Sequence, residues 1–183
     1  YAGCTSSEKR PTIKQLFASF RIKQETGTIS MRDIERLFNE YSESHMNPTN
    51  KMIHNLAVPA IYFSVIGLIW SIPVPGFIEQ YGINFAHIIA IPVLYYYFLL
   101  SGPIGAAMTL LTIACFLIIE QIAQSAVPVW QVSVGVFVIM WILQFIGHAI
   151  EGKRPSFFTD LRFLLIGPAW VWGSWLKRLN ISY

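Results

Sequence analysis

Apolar and polar positions follow two rhythms along this chain. From 11 to 24, "PTIKQLFASFRIKQ", Ile13, Leu16, Phe17 and Phe20 recur on one helical face. "TGT" at 26–28 breaks that pattern, and Ser30 with Asp33 then has the spacing of a capping box ahead of Ile34, Leu37, Phe38 and Tyr41. The pattern predicts two short amphipathic helices. After Asn47 the rhythm becomes continuously apolar. Asn47 is placed to cap a helix that starts at Pro48 and runs through "LAVPAIYFSVIGLIWSIP" to about Pro73. Further apolar stretches cover about 83–101, 103–124 and 129–150, with "GP" at 102–103 marking a tight turn. Each is near the ~20 residues that a crossing needs. The last apolar segment, "FLLIGPAWVWGSWL", is short and interrupted by Gly167-Pro168, and its tryptophans Trp170, Trp172 and Trp175 suit a membrane interface.

The expected architecture is therefore all-α and polytopic. It has four transmembrane helices, amino-terminal amphipathic helices and a carboxy-terminal re-entrant or interfacial hairpin over 159–176, with a fifth span as the alternative for that hairpin. Residues 1–44 read as a helical cap on the membrane face, 45–176 as the membrane-embedded domain and 177–183 as a tail.

Composition and charge sharpen this picture. The chain has 183 residues, 54% hydrophobic and 13% charged, too apolar for an ordinary soluble domain. Residues 1–54 hold eight Lys/Arg and residues 151–183 hold five, whereas 55–150 hold none and only two acids, Glu79 and Glu120. Charge in hydrocarbon is costly, so a long uncharged middle reads as membrane. All basic residues lie before the first span or after the fourth. The positive-inside rule then puts both ends in the cytoplasm, of a bacterial inner membrane or the endoplasmic reticulum according to source. Cys4 and Cys115 give no disulfide framework, "YAGC" at the start has no apolar signal region before it, and no Lys/Arg-rich stripe suggests nucleic acid. No P-loop, dinucleotide fingerprint or nucleophile elbow occurs.

Four crossings sort the four histidines. His54 falls in the first turns of span one and His148 in the last turn of span four, at the same membrane face, and His45 lies in the connection leading in. His87, near the start of span two, falls at the opposite face and ranks second. Glu151 follows His148 by three residues, so the two can share a helix face. Imidazoles with a carboxylate favour iron, zinc or manganese. Asn50, four residues before His54, is placed to orient that ring. Each residue also has an ordinary alternative. Interfacial histidines snorkel or complement a helix end, Glu151 can pair with Lys153 or Arg154, and Asn47 and Asn50 can be caps alone. The joint placement of three histidines at one end of a charge-poor bundle is what raises the functional reading.

The stretches "HMNPTNKMIH" (45–54) and "WILQFIGHAIEGKRPSFFTDLRFLLIGPAW" (141–170) resemble a small membrane family, long catalogued as a domain of unknown function. Its characterised yeast member is an iron(II)-dependent 2-hydroxy fatty acid dioxygenase. The resemblance covers about 41–170. His45, Asn47, Pro48, Asn50 and His54 match the first motif, and Gln144, Gly147, His148, Glu151, Arg154 and Pro155 match the second. The family's yeast pattern has a further histidine where this chain reads "EQIAQSAVPVW". The resemblance implies Fe(2+) held by His45, His54 and His148 with Glu151. Asn47, Asn50 and Gln144 would support the ligands, and 2-hydroxy fatty acid, dioxygen and membrane lipid would be the partners. Lys153 or Arg154 would meet the substrate carboxylate, or else serve as ordinary positive-inside charge. The activity implied is oxidative shortening of the acid by one carbon. Two further readings stand beside it: a zinc-dependent lipid hydrolase, and a non-catalytic membrane or lipid-binding protein with structural histidines.

Overall fold

Asn47, Asn84 and Gly152 punctuate the chain where its helices begin and end. The computed structural model describes residues 31–43, 45–152 and 165–182. The predicted helix over 11–24 lies outside the described residues. Those residues form helices α1 (Met31–Ser42), α2 (Pro48–Trp70), α3 (Gly76–Glu79), α4 (Phe85–Leu100), α5 (Gly102–Ala123), α6 (Val129–Glu151) and α7 (Ile166–Arg178), and no strand occurs among them. The Asn47 side chain accepts from the Thr49 amide and Pro48 opens α2 with its preset φ. Asn84 and His87 form a reciprocal capping box at the start of α4. Gly152, at φ 72°, closes α6 in the left-handed conformation that glycine adopts without strain.

Helices α2, α5 and α6 are long and apolar enough to cross a membrane. Helix α4 is equally apolar but has 16 residues, so among the described residues three rather than four helices reach spanning length. At 1.5 Å per residue α4 is about 24 Å long, short of a ~30 Å hydrocarbon core. Leu110, Ile113 and Leu117 of α5 and Val138, Ile142 and Phe145 of α6 are exposed. A surface of that kind is stable only in lipid, which makes this a membrane protein.

The packing explains how distant segments meet. Helices α2 and α6 run antiparallel. A side chain at Gly67 would overlap Ser133 at one end of the pair, and a side chain at Gly147 would overlap Asn50 at the other. Small residues at both ends let the backbones approach closely, as helices in membranes commonly do. Helices α4 and α5 form an antiparallel hairpin: Gly105 lies against Phe98 near the turn, and the His87 and Phe116 rings sit 4.6 Å apart at the open end. Tyr62 of α2 bonds Thr112 of α5 at 2.8 Å, which ties the two pairs together.

The described part of the carboxy-terminal segment is one helix. Gly167-Pro168 lies in the first turn of α7, where a proline is tolerated, and therefore starts the helix instead of interrupting it. Its 13 residues are about 20 Å long, too short to cross. Helix α7 packs on α1, α2 and α5. Its Trp170 is buried, with Nε1 donating to the Ser42 hydroxyl at 2.8 Å.

Candidate metal centre

Three elements each deliver one histidine to the same end of the bundle. His45 sits in the turn after α1, where its ring stacks on Tyr41 at 4.3 Å and 14°. Its Nδ1 donates to the Tyr41 carbonyl at 2.6 Å. His54 lies in the second turn of α2, and its Nδ1 donates to the Asn50 carbonyl at 3.1 Å. His148 lies in the last turn of α6. The ring centroids are 4.2 Å apart for His45–His54, 5.0 Å for His54–His148 and 5.4 Å for His45–His148. The relative exposures are 2%, 1% and 4%, so water is excluded from all three.

A bound cation would offset solvation that three buried imidazoles lose. One nitrogen from each ring lies within 4.8 Å of the others, and the three form a group able to hold a metal ion. Metal–imidazole bonds of about 2.0–2.1 Å put two ligands of one ion at most ~4 Å apart, so small ring movements close the set. The Nδ1–H bonds of His45 and His54 to carbonyls fix the tautomer and leave the lone pair on Nε2. That is the usual outer support of a ligating histidine. The donor set thus fits a divalent transition metal.

Glu151 has a different place. Three residues along a helix is about 300° of rotation, which turns it some 60° from His148 and toward the start of α2. Its Oε1 accepts from the Met46 amide at 2.8 Å and its Oε2 from the Asn47 amide at 2.9 Å and from Asn50 Nδ2 at 3.0 Å. The expected fourth ligand is outside the three-histidine group and instead clamps the 45–50 segment. Asn47 is the cap of α2. Asn50 orients His54 with its backbone carbonyl, while its side chain bridges to Glu151. Gln144 is buried on α6, one turn ahead of His148. Lys153 and Arg154 lie outside the described residues.

His87 is at the far end of the bundle. Its ring packs between Trp70, at 5.2 Å, and Phe116, and its Nδ1 accepts from the Asn84 amide at 3.2 Å. Trp70 is sixteen residues along α2 from His54, or about 24 Å. The stretch "EQIAQSAVPVW", joining α5 to α6, is also at that far end, beside the Gly67–Ser133 contact. That stretch is therefore remote from the three histidines.

Sequence reasoning missed Tyr41 and Trp170 as parts of the site. Tyr41 supplies the carbonyl and the stacking face for His45. Trp170 packs on Tyr41 at 5.2 Å and on His45 at 5.7 Å. The spacing of Tyr41 four residues before His45 was the available signal. Gly147 matters for a steric reason. A Cβ there would overlap Asn50 Oδ1 and lie 3.6 Å from His54 Cε1. Asn50 is held by Glu151 and has little freedom to yield. Gly147→Ala should therefore destabilise the fold by about 1–3 kcal/mol and loosen metal retention, both readable by thermal melting in detergent with and without added metal.

A helical membrane protein with three buried histidines converging on one potential metal site is the class that these observations define. Residues 31–179 match the family described as 2-hydroxy-palmitic acid dioxygenase Mpo1-like, and the chain belongs to that family. It is 27% identical over 152 residues to 2-hydroxy-palmitic acid dioxygenase MPO1 of Saccharomyces cerevisiae, an alignment covering 81% of this chain and 82% of that protein. No solved structure matches the chain.

Proposed function

We propose that the protein is an iron(II)-dependent dioxygenase that shortens 2-hydroxy fatty acids by one carbon, with the metal held by His45, His54 and His148. The observation that carries this reading is the buried three-histidine group at one end of an apolar bundle, in a chain whose family is named for that activity. The overall change balances with dioxygen alone: R–CHOH–COOH and O2 give R–COOH, CO2 and water. The bond between carbons one and two breaks, those two carbons lose four electrons, and dioxygen takes up four. No separate reductant is needed.

Iron(II), when bound, supplies the redox chemistry that lets dioxygen react with a closed-shell acid. The chain does the rest. Tyr41 and Asn50 carbonyls hold the two rings in their ligating tautomer. Trp170 and Tyr41 seal the site from water. A site at the end of the bundle lets a polar head reach the histidines while the acyl chain stays in the apolar layer. On this reading α4 crosses with α2, α5 and α6, tilted little or in a thinned bilayer. Both termini then lie on the cytoplasmic side, and Lys153 or Arg154 meets the acid's carboxylate. Residues 45–176 form the catalytic unit. The cap formed by 1–44 contributes Tyr41.

Protein purified and kept under nitrogen should carry one iron per chain by elemental analysis. It should consume one dioxygen per 2-hydroxyhexadecanoic acid, releasing pentadecanoic acid and carbon dioxide. Zinc at one per chain with no turnover restored by iron would replace this reading with a hydrolase. Equal stability with and without chelator, and no turnover, would leave a lipid-binding protein.

A further inference from the structure

A second feature lies deeper in the membrane layer. A cavity of about 120 Å³ opens between α2 and α4, walled by Tyr62, Val65 and Ile69 on one side, Ala86 and Ala90 on the other, and capped by Leu165. Its lining is almost entirely apolar. The polar groups at its border are already engaged. The Thr112 hydroxyl donates to the Met108 carbonyl at 2.7 Å, so the Tyr62 hydroxyl donates to Thr112. The Leu165 carbonyl accepts from Tyr97 at 2.8 Å. An occupant gains no hydrogen bond here and must be hydrocarbon.

The cavity shares a helix face with the metal centre. At about 100° per residue, Tyr62, Val65 and Ile69 all point within ~80° of His54. At 1.5 Å per residue they stand roughly 12 to 22 Å from it along α2. A zigzag chain with ~1.5 Å bonds advances about 1.25 Å per bond. An acid with its head at the histidines reaches the cavity after about ten bonds and its far end after about eighteen. A cavity slightly smaller than one that holds benzene takes about four or five carbons.

We infer that the α2–α4 cavity receives the methyl end of the substrate's acyl chain and makes the enzyme selective for long-chain acids. This rests on the function proposed above, and the test separates the two. The probe is 2-hydroxyhexadecanoic acid bearing a terminal diazirine, photolysed on the full chain in detergent with the metal site either empty or filled by zinc, so that labelling needs no turnover. Label should fall on peptides covering 62–69 and 86–93, be suppressed by excess unlabelled 2-hydroxyhexadecanoic acid, and be lost in Ala90→Phe. In iron-loaded enzyme, Ala90→Phe should lower the kcat/KM ratio of the sixteen-carbon to the eight-carbon 2-hydroxy acid roughly tenfold or more, since several methylenes lose their place. If Ala90→Phe does not fold, Ile69→Trp fills the same space from the α2 wall and is read the same way. Label spread over the exposed faces of α5 and α6, insensitive to competitor, means that membrane lipid occupies the cavity and overturns the inference. An unchanged chain-length ratio in a folded filling variant also overturns it. Competed labelling at 62–69 and 86–93 in a protein that turns over no 2-hydroxy acid supports the cavity and rejects the dioxygenase.

Discussion

His148→Ala, prepared under nitrogen and offered iron(II), should retain almost no metal and lose oxygen uptake by at least about a hundredfold, while its helical circular dichroism stays that of the parent. Loss of an outer support to a ligand already costs roughly 10- to 100-fold in affinity or activity, so loss of a ligand should cost no less. The fold should survive because of where His148 sits. It is in the last turn of α6, and the α2–α6 pair is also held at its other end by the Gly67–Ser133 contact. Added metal should raise the melting temperature of the parent and leave that of His148→Ala unchanged. That difference is the informative part. For a purely structural histidine, neither metal nor chelator would shift the melting of either protein. His87→Ala is the matched control. It unmakes the α4 capping box and the contact with Trp70, at the opposite end of the bundle, and metal content should not change. If His148→Ala binds iron as the parent does, the triad is not the metal site.

The meeting of His45, His54 and His148 was legible because a membrane reduces the topological choices. Read as four crossings, the apolar stretches with all the basic residues outside them bring the ends of the first and last to one face, and two of the histidines lie at those ends. The short α4 does not disturb the result. Helices α4 and α5 form an antiparallel hairpin, so the chain still returns α6 alongside α2 in the opposite direction. Rotation about a helix axis was harder to read. The His148–Glu151 spacing is compatible with one shared face, but about 60° of offset lets a neighbouring segment take the carboxylate, and the amides of Met46 and Asn47 lie on that side and donate to it. Whether Gly167-Pro168 broke or began a helix depended on where the helix started, which periodicity could not locate in so short a segment. Trp170 looked like an interface residue because aromatic belts and aromatic walls have the same composition. Only the packing of α7 against α1 distinguishes them.

Glu151 is where the carboxylate can be asked whether it binds metal or holds the backbone, and two conservative variants answer in opposite orders. The structure shows a clamp: two amides, of Met46 and Asn47, and the Asn50 side chain all donate to it. The amides follow His45 directly, so the clamp fixes the turn that carries that ligand. Glu151→Gln keeps the length and one carbonyl oxygen aimed at the amides, and Asn50 can rotate its amide to match the new NH2. Glu151→Asp keeps the charge but is one methylene short and cannot reach them. If the residue works as a clamp, metal affinity should fall modestly in Gln and by about 10- to 100-fold in Asp, the range found for outer support of metal ligands. If the carboxylate contacts the ion, the order reverses, because Asp retains a charged oxygen and Gln does not. Titration of cobalt(II) into each metal-free variant measures both affinity and the visible spectrum. The Gln variant should show the parent's bands unshifted, since the three imidazoles are unchanged. A weaker or displaced spectrum in Gln together with a normal one in Asp would make Glu151 a ligand, drawn to the ion by a rearrangement of the 45–50 segment.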